Sequence, residues 1–120
     1  MIDYSAAEKF LRTTVSKTRY AAKAKRGLQF DIDIGDVMAV LRRQEGRCAL
    51  TGRELEFTRG GSFGYGTNPY VCTIDRIHNT KGYLRWNIQL ACWKANKIKG
   101  ELSNQEFRQL CQSVVDTMSQ

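Results

Sequence analysis

Residues Cys72–Lys99, CTIDRIHNTKGYLRWNIQLACWKANKIK, decide the fold, because strand, loop and helix signals stand there beside side chains able to hold a metal. Tyr70–Ile77 alternates, with Val71, Thr73 and Asp75 on one side and Cys72, Ile74 and Arg76 on the other, as a half-buried strand does. Asp75 then lies near a strand end. His78–Gly82 is turn chemistry and Tyr83–Ile88 can return as a second strand; Gln89–Lys99 carries Leu90, Trp93 and Ile98 at a spacing that fits an amphipathic helix. The predicted unit is strand, loop, strand, helix. It brings Asp75 and Asn96 face to face, two oxygen donors for a hard divalent cation such as Mg²⁺ or Mn²⁺, with positions left for water and phosphate. Lys81, Arg85, Lys94, Lys97 and Lys99 surround them with the positive charge that suits a polyanionic substrate.

These residues resemble the HNH endonucleases, whose core is a ββα-metal (His-Me finger) unit. The family pattern runs Asp-His, a glycine-containing loop, Asn-Leu/Ile, then Leu-Cys-x-x-Cys-Asn-x-x-Lys. This chain has Asp75-Arg76, Lys81-Gly82, Asn87-Ile88 and Cys92-x-x-Ala95-Asn96-x-x-Lys99, in register without a gap from Asn87 onward. The resemblance implies an α+β fold, a catalytic metal on Asp75 and Asn96, and a bracing role for Asn87 in the loop between the strands. It also implies a histidine after the aspartate that activates water, and here that residue is Arg76. An arginine has no acceptor lone pair and stays protonated, so it cannot take a proton from water at neutral pH. His78, the single histidine, shares a face with Arg76 if the strand continues past Ile77, and is either a substitute base or a loop bystander. Tyr83 is a weaker candidate base, and Arg76 itself can clamp a phosphate oxygen.

Many HNH proteins similar to this one carry a structural zinc on two C-x-x-C pairs. Here Cys48 is followed by Thr51 and Cys92 by Ala95, so half of each pair is present. Two thiolates alone make a poor tetrahedral site, so zinc is not expected, and Cys48 and Cys92 read as reduced, buried neighbours. The four cysteines include no C-x-x-C pair and write neither a disulfide framework nor a zinc ribbon.

The 120 residues fit one small domain, 1–120, able to bury about two thirds of its unfolded surface. A formal charge of +7 favours nucleic acid or an anionic surface as partner over neutral small molecules. The opening MIDYSAAEKF has no apolar run of the signal-peptide kind, and no stretch approaches the roughly 18 consecutive apolar residues of a membrane span. The expectation is a soluble, cytoplasmic protein with no membrane partner.

Ser5–Arg26 lacks Gly and Pro and should be a long helix. From Glu8 to Arg26 it holds seven basic residues and one acid, so Lys17, Arg19, Lys23 and Arg26 are expected on a DNA-backbone surface, with Lys81, Arg85, Lys97 and Lys99 completing it from the core. After Gly27, Leu28–Ile32 reads as a short extended segment, Asp33 as the N-cap of a helix over Ile34–Gln44, and Arg47–Phe57 as a strand or hairpin bending at Thr51-Gly52. Arg59–Asn68 is a glycine-rich loop without the ending of a phosphate-binding P-loop; its Phe63 and Tyr65 either stack on bases or pack on the core. Ser103 and Glu106 spell a capping box for a helix over 103–118 that should cover the core.

The predicted architecture is a ββα-metal core at about 70–99, flanked by a basic helical arm at 5–26 and the C-terminal helix. The leading functional reading is a metal-dependent endonuclease, a nicking enzyme or otherwise, acting on double-stranded DNA. Its alternatives are a catalytically impaired HNH-fold DNA-binding protein and a protein-binding inhibitor on the same scaffold. The basic arm and the LQFDI segment also resemble small HNH proteins of phages and other mobile elements, which implies a phage-type origin.

Overall fold

Asp3 accepts a hydrogen bond from the Ala6 amide (3.1 Å) and so caps helix α1, Tyr4–Tyr20, in the computed structural model, which describes residues 2–60 and 68–120. Ala7, Leu11 and Val15, four residues apart, form its buried stripe. The helix then widens into a π turn, Ala21–Lys25, and the Leu28 amide closes back on the Ala22 carbonyl at 2.8 Å. The expected basic helix is therefore present, with a last turn of different pitch.

Strand β1, Phe30–Asp31, follows, then α2, Ile34–Arg43. The cap of α2 is reciprocal: the Asp36 amide donates to Asp33 (2.9 Å) and the Asp33 amide to Asp36 (3.0 Å). The expected hairpin over Arg47–Phe57 is reduced to isolated bridges, Arg47 with Glu54 and Glu56 with Val71. Phe63 and Tyr65, for which base stacking or core packing was expected, lie outside the described residues.

The remaining elements are β2 (Cys72–Arg76), β3 (Tyr83–Leu84), β4 (Ile88–Cys92), α3 (Trp93–Lys99) and α4 (Asn104–Met118). Here the structure corrects the sequence reading. The partner of β2 is β4, antiparallel, with Cys72 opposite Cys92 and Asp75 opposite Gln89, so Gln89–Cys92 is strand and the helix begins only at Trp93. All five residues of β4 are buried, and a strand paired with β2 satisfies their backbone while a helix there would leave β2 unpaired. Tyr83–Leu84 instead pairs in parallel with β1, Phe30 opposite Tyr83. That close approach requires Gly82, because a Cβ there would collide with the Gln29 carbonyl oxygen.

Helices α1 and α2 pack on each other, α1 also on β2 and α2 on β4, and α3 closes against both strands. The free edge of β4 is capped by a side chain: Gln44 donates to the Leu90 carbonyl (2.9 Å) and accepts from its amide (3.0 Å). Helix α4 does not cover the core as expected. Its capping box at Ser103 and Glu106 is formed, but none of its residues is buried, and Leu110, Val114, Val115 and Met118 face solvent. Among the described residues no helix is long and apolar enough to cross a membrane.

Candidate functional site

The last residues of β2 and the second half of α3 meet at a shallow cleft of about 230 Å³ bordered by Arg26, Asp75, Arg76, Tyr83, Asn96, Lys97 and Glu101. Asp75 is almost entirely enclosed, yet its two oxygens differ. Oδ2 accepts from Lys99 Nζ (2.9 Å) and from Gln89 Nε2 (2.9 Å), whereas Oδ1 has no partner among the described residues. Among the described residues no fully enclosed side-chain oxygen or nitrogen lacks a partner, so Oδ1 keeps contact with solvent. Asn96 is arranged the same way: its Nδ2 donates to Thr73 Oγ1 (2.9 Å), which in turn donates to the Ala91 carbonyl (2.7 Å), and its Oδ1 has no partner among the described residues. Asp75 and Asn96 thus border one cleft, and each carries a hard oxygen of the kind a divalent cation takes alongside water and phosphate. Among the described residues no cluster of three or more His, Cys, Asp or Glu side chains is arranged to hold a metal.

The loop between β2 and β3 is tied from both sides. Asn87, fully buried, accepts from the His78 amide (2.9 Å) and donates to the carbonyls of His78 (3.1 Å) and Gly82 (2.9 Å). From the cleft side, one guanidinium nitrogen of Arg76 donates to the carbonyls of Asn79 (2.9 Å) and Lys81 (2.8 Å), and the group lies 5.7 Å from the centre of the Tyr83 ring. Its other nitrogens have no partner among the described residues. The strand stops at Arg76, so His78 does not share its face; it is exposed on the loop and does not border the cleft. Tyr83 does border it, and its hydroxyl has no protein partner among the described residues.

The basic residues separate into groups. Arg26, brought round by the π turn, and Lys97 rim the cleft, with Arg26 3.9 Å from Glu101. Lys17 is exposed beside Phe10 and Trp93 in a second depression. Arg19, Lys23 and Arg85 border a third, shared with Asp31, Asp33 and Asp36, and Arg85 lies 3.9 Å from Asp36. Lys81 is exposed on the loop. Lys99 is the exception: expected on the DNA-facing surface, it is only 1% exposed, donating to Asp75 and to the Arg76 carbonyl (2.8 Å). A lysine at the inner face of α3 is held there by the carboxylate it neutralises.

Cys48, Cys72 and Cys92 are free and buried, and Cys111 is free and exposed. Cys48 Sγ accepts from the amides of Cys92 (3.3 Å) and Leu50 (3.4 Å). Burial pushes the Cys48 thiol up, but hydrogen bonds from the Thr51 hydroxyl and from the amides of Cys92, Leu50 and Thr51 outweigh it and hold the thiol below its usual range. Burial, with the neighbouring Cys48 sulfur, raises the Cys92 thiol. Thr51 stands in the place of a second thiolate, and its hydroxyl accepts from the Arg53 amide (3.2 Å).

Sequence reasoning missed Gln89 and Asn104, which join the Asp75 network. Gln89 had a signal, a lone amide inside the apolar run Ile88–Cys92; Asn104 had none.

No family model matches the sequence, and no curated protein does. Among solved structures, that of the rare-cutting HNH restriction endonuclease PacI is similar, with a TM-score of 0.60 at 22% identity over 88% of this chain and 76% of that chain. The likeness is one of fold: helices around a small sheet, as in an HNH protein.

Proposed function

We propose that this chain is a metal-dependent endonuclease of the HNH type that hydrolyses phosphodiester bonds of double-stranded DNA. The observation that carries the reading is that Asp75 and Asn96, each with one oxygen unpaired among the described residues, border one cleft rimmed by Arg26 and Lys97. Asp75 and Asn96 would hold a divalent ion, and that ion would supply charge neutralisation at the scissile phosphate. The chain's own residues do the rest. Arg76 presents its free guanidinium nitrogens to a phosphate oxygen while its bound nitrogen keeps the loop in place, and Arg26 and Lys97 hold the flanking backbone. Asn87 fixes the loop that carries Tyr83 to the cleft. Tyr83, and not the exposed His78, stands where a proton can pass to or from the reacting water.

Incubation of the protein with supercoiled plasmid and Mg²⁺ or Mn²⁺, with EDTA as control, tests this. Nicked or linear product that vanishes with EDTA and in Asp75→Ala supports the reading; product formed equally by Asp75→Ala overturns it.

A specific observation favours a second reading, a DNA-binding protein without catalysis. Arg76 stands where the family's base would be, and the Lys99 ammonium already offsets the charge of Asp75. Salt-dependent DNA binding without metal-dependent product would select it.

A further inference from the structure

The polar network behind the cleft reaches farther than the pair it neutralises. Gln89 Nε2 uses both hydrogens, one on Asp75 Oδ2 (2.9 Å) and one on Asn104 Oδ1 (2.8 Å), while Gln89 Oε1 accepts from Asn104 Nδ2 (2.9 Å). Every polar position of the Gln89 amide is engaged, so it cannot turn over without losing all three bonds. Lys99 takes the remaining approach to the same Asp75 oxygen. Gln89 is 6% exposed and Lys99 1%, so water does not replace a lost partner at low cost.

We infer that Gln89 and Asn104 are positioning residues for the metal-binding carboxylate: their reciprocal amide pair keeps one oxygen of Asp75 occupied and turned inward, which leaves Oδ1 as the single oxygen presented to the ion. This rests on the metal reading above. It assigns the first turn of α4 to the site, although no residue of that helix is fully buried. The contact to Asp75 is made by the Gln89 amide itself, which distinguishes it from general packing. Partners that orient a ligating carboxylate typically matter about 10-fold to 100-fold in metal affinity.

The test is a Mn²⁺ titration of the full chain by calorimetry, with metal-free chemical unfolding measured on the same variants. Gln89→Leu is expected to weaken Mn²⁺ binding by about 10-fold or more, and Asn104→Leu by less, in the same direction. The double variant Gln89→Asn with Asn104→Gln keeps the total length of the amide pair but withdraws it from Asp75. It should recover the unfolding midpoint lost by Gln89→Leu without recovering Mn²⁺ affinity. If Asp75→Asn loses Mn²⁺ binding while Asn104→Leu and the double variant bind as the parent does, the positioning role is overturned and the metal reading stands. If Asp75→Asn binds Mn²⁺ as the parent does, the metal reading falls and takes the inference with it. Should Gln89→Leu fail to fold, Asn104→Leu, at the half-buried end of the network, decides alone.

Discussion

Two places in the chain resemble ligand positions of the HNH pattern, and their donor atoms are used in opposite ways. At the sulfur corner, Cys48 and Cys92 stand with Thr51 and Ala95 in the two other positions, and the amides of Cys92 and Leu50 donate to the Cys48 sulfur. At the oxygen cleft, Asp75 is fastened through Oδ2 and Asn96 through Nδ2, and the other atom of each has no partner among the described residues. A donor whose lone pairs are already used has little left for a cation. A donor anchored on its far side is presented without reorganisation.

The largest effect expected from breaking this contrast is at the cleft itself: Asp75→Ala should take cleavage to background and remove Mn²⁺ binding, read on plasmid and by calorimetry. Next is Arg76→His. The substitution removes the brace on the Asn79 and Lys81 carbonyls, so slower cleavage is expected. A gain of about 10² to 10⁴ in rate, the usual worth of a general base, would show instead that the parent cleft lacks one. At the sulfur corner the parent should carry no zinc by elemental analysis, while Thr51→Cys with Ala95→Cys should bring about one ion per chain by completing a four-thiolate set. Zinc in the parent would mean that the hydrogen bonds around Cys48 do not exclude it.

Outside both places, reversing the charge of Lys17, Arg19, Lys23 and Arg26 together should weaken DNA binding and flatten its salt dependence without unfolding α1. Because Arg19 and Lys23 share their surface with three aspartates, most of that loss should trace to Lys17 and Arg26 in single variants. The smallest effect belongs to His78→Ala, expected to leave the cleavage rate as it is. A loss there would bring the loop histidine into the chemistry and move the proton path away from Tyr83.

What the sequence disclosed was mostly local. Asp33 and Ser103 declared their helices through side chains that reach only three residues, and the Asp75, Asn87 and Asn96 pattern named residues that the structure brings to one loop and its neighbouring cleft. What it concealed depends on partners far along the chain. Ile88–Cys92 is an apolar run that suits a strand or the start of a helix, and only pairing with β2 decides between them. Lys99 looks like any surface lysine until Asp75, twenty-four residues earlier, is brought 2.9 Å from its ammonium. The apolar spacing of α4 is that of a core-facing helix, yet spacing states only that a face exists.

Helix α4 has a further consequence, for how the native state opens. Isolated helices of about 12–15 residues are marginal in water, and beyond the Asn104 anchor this one has no buried side chain to hold it. Its amide protons from Leu110 onward should exchange through fraying that starts at Met118, at a free-energy cost far below that of global unfolding. The amides of β2 and β4, sealed between α1, α2 and α3, should exchange only when the whole molecule opens. Native-state exchange would then show a fast stretch from Leu110 to Met118 and a slow sheet, with the first turn of α4 between them, its protection following the occupancy of the amide pair at Gln89.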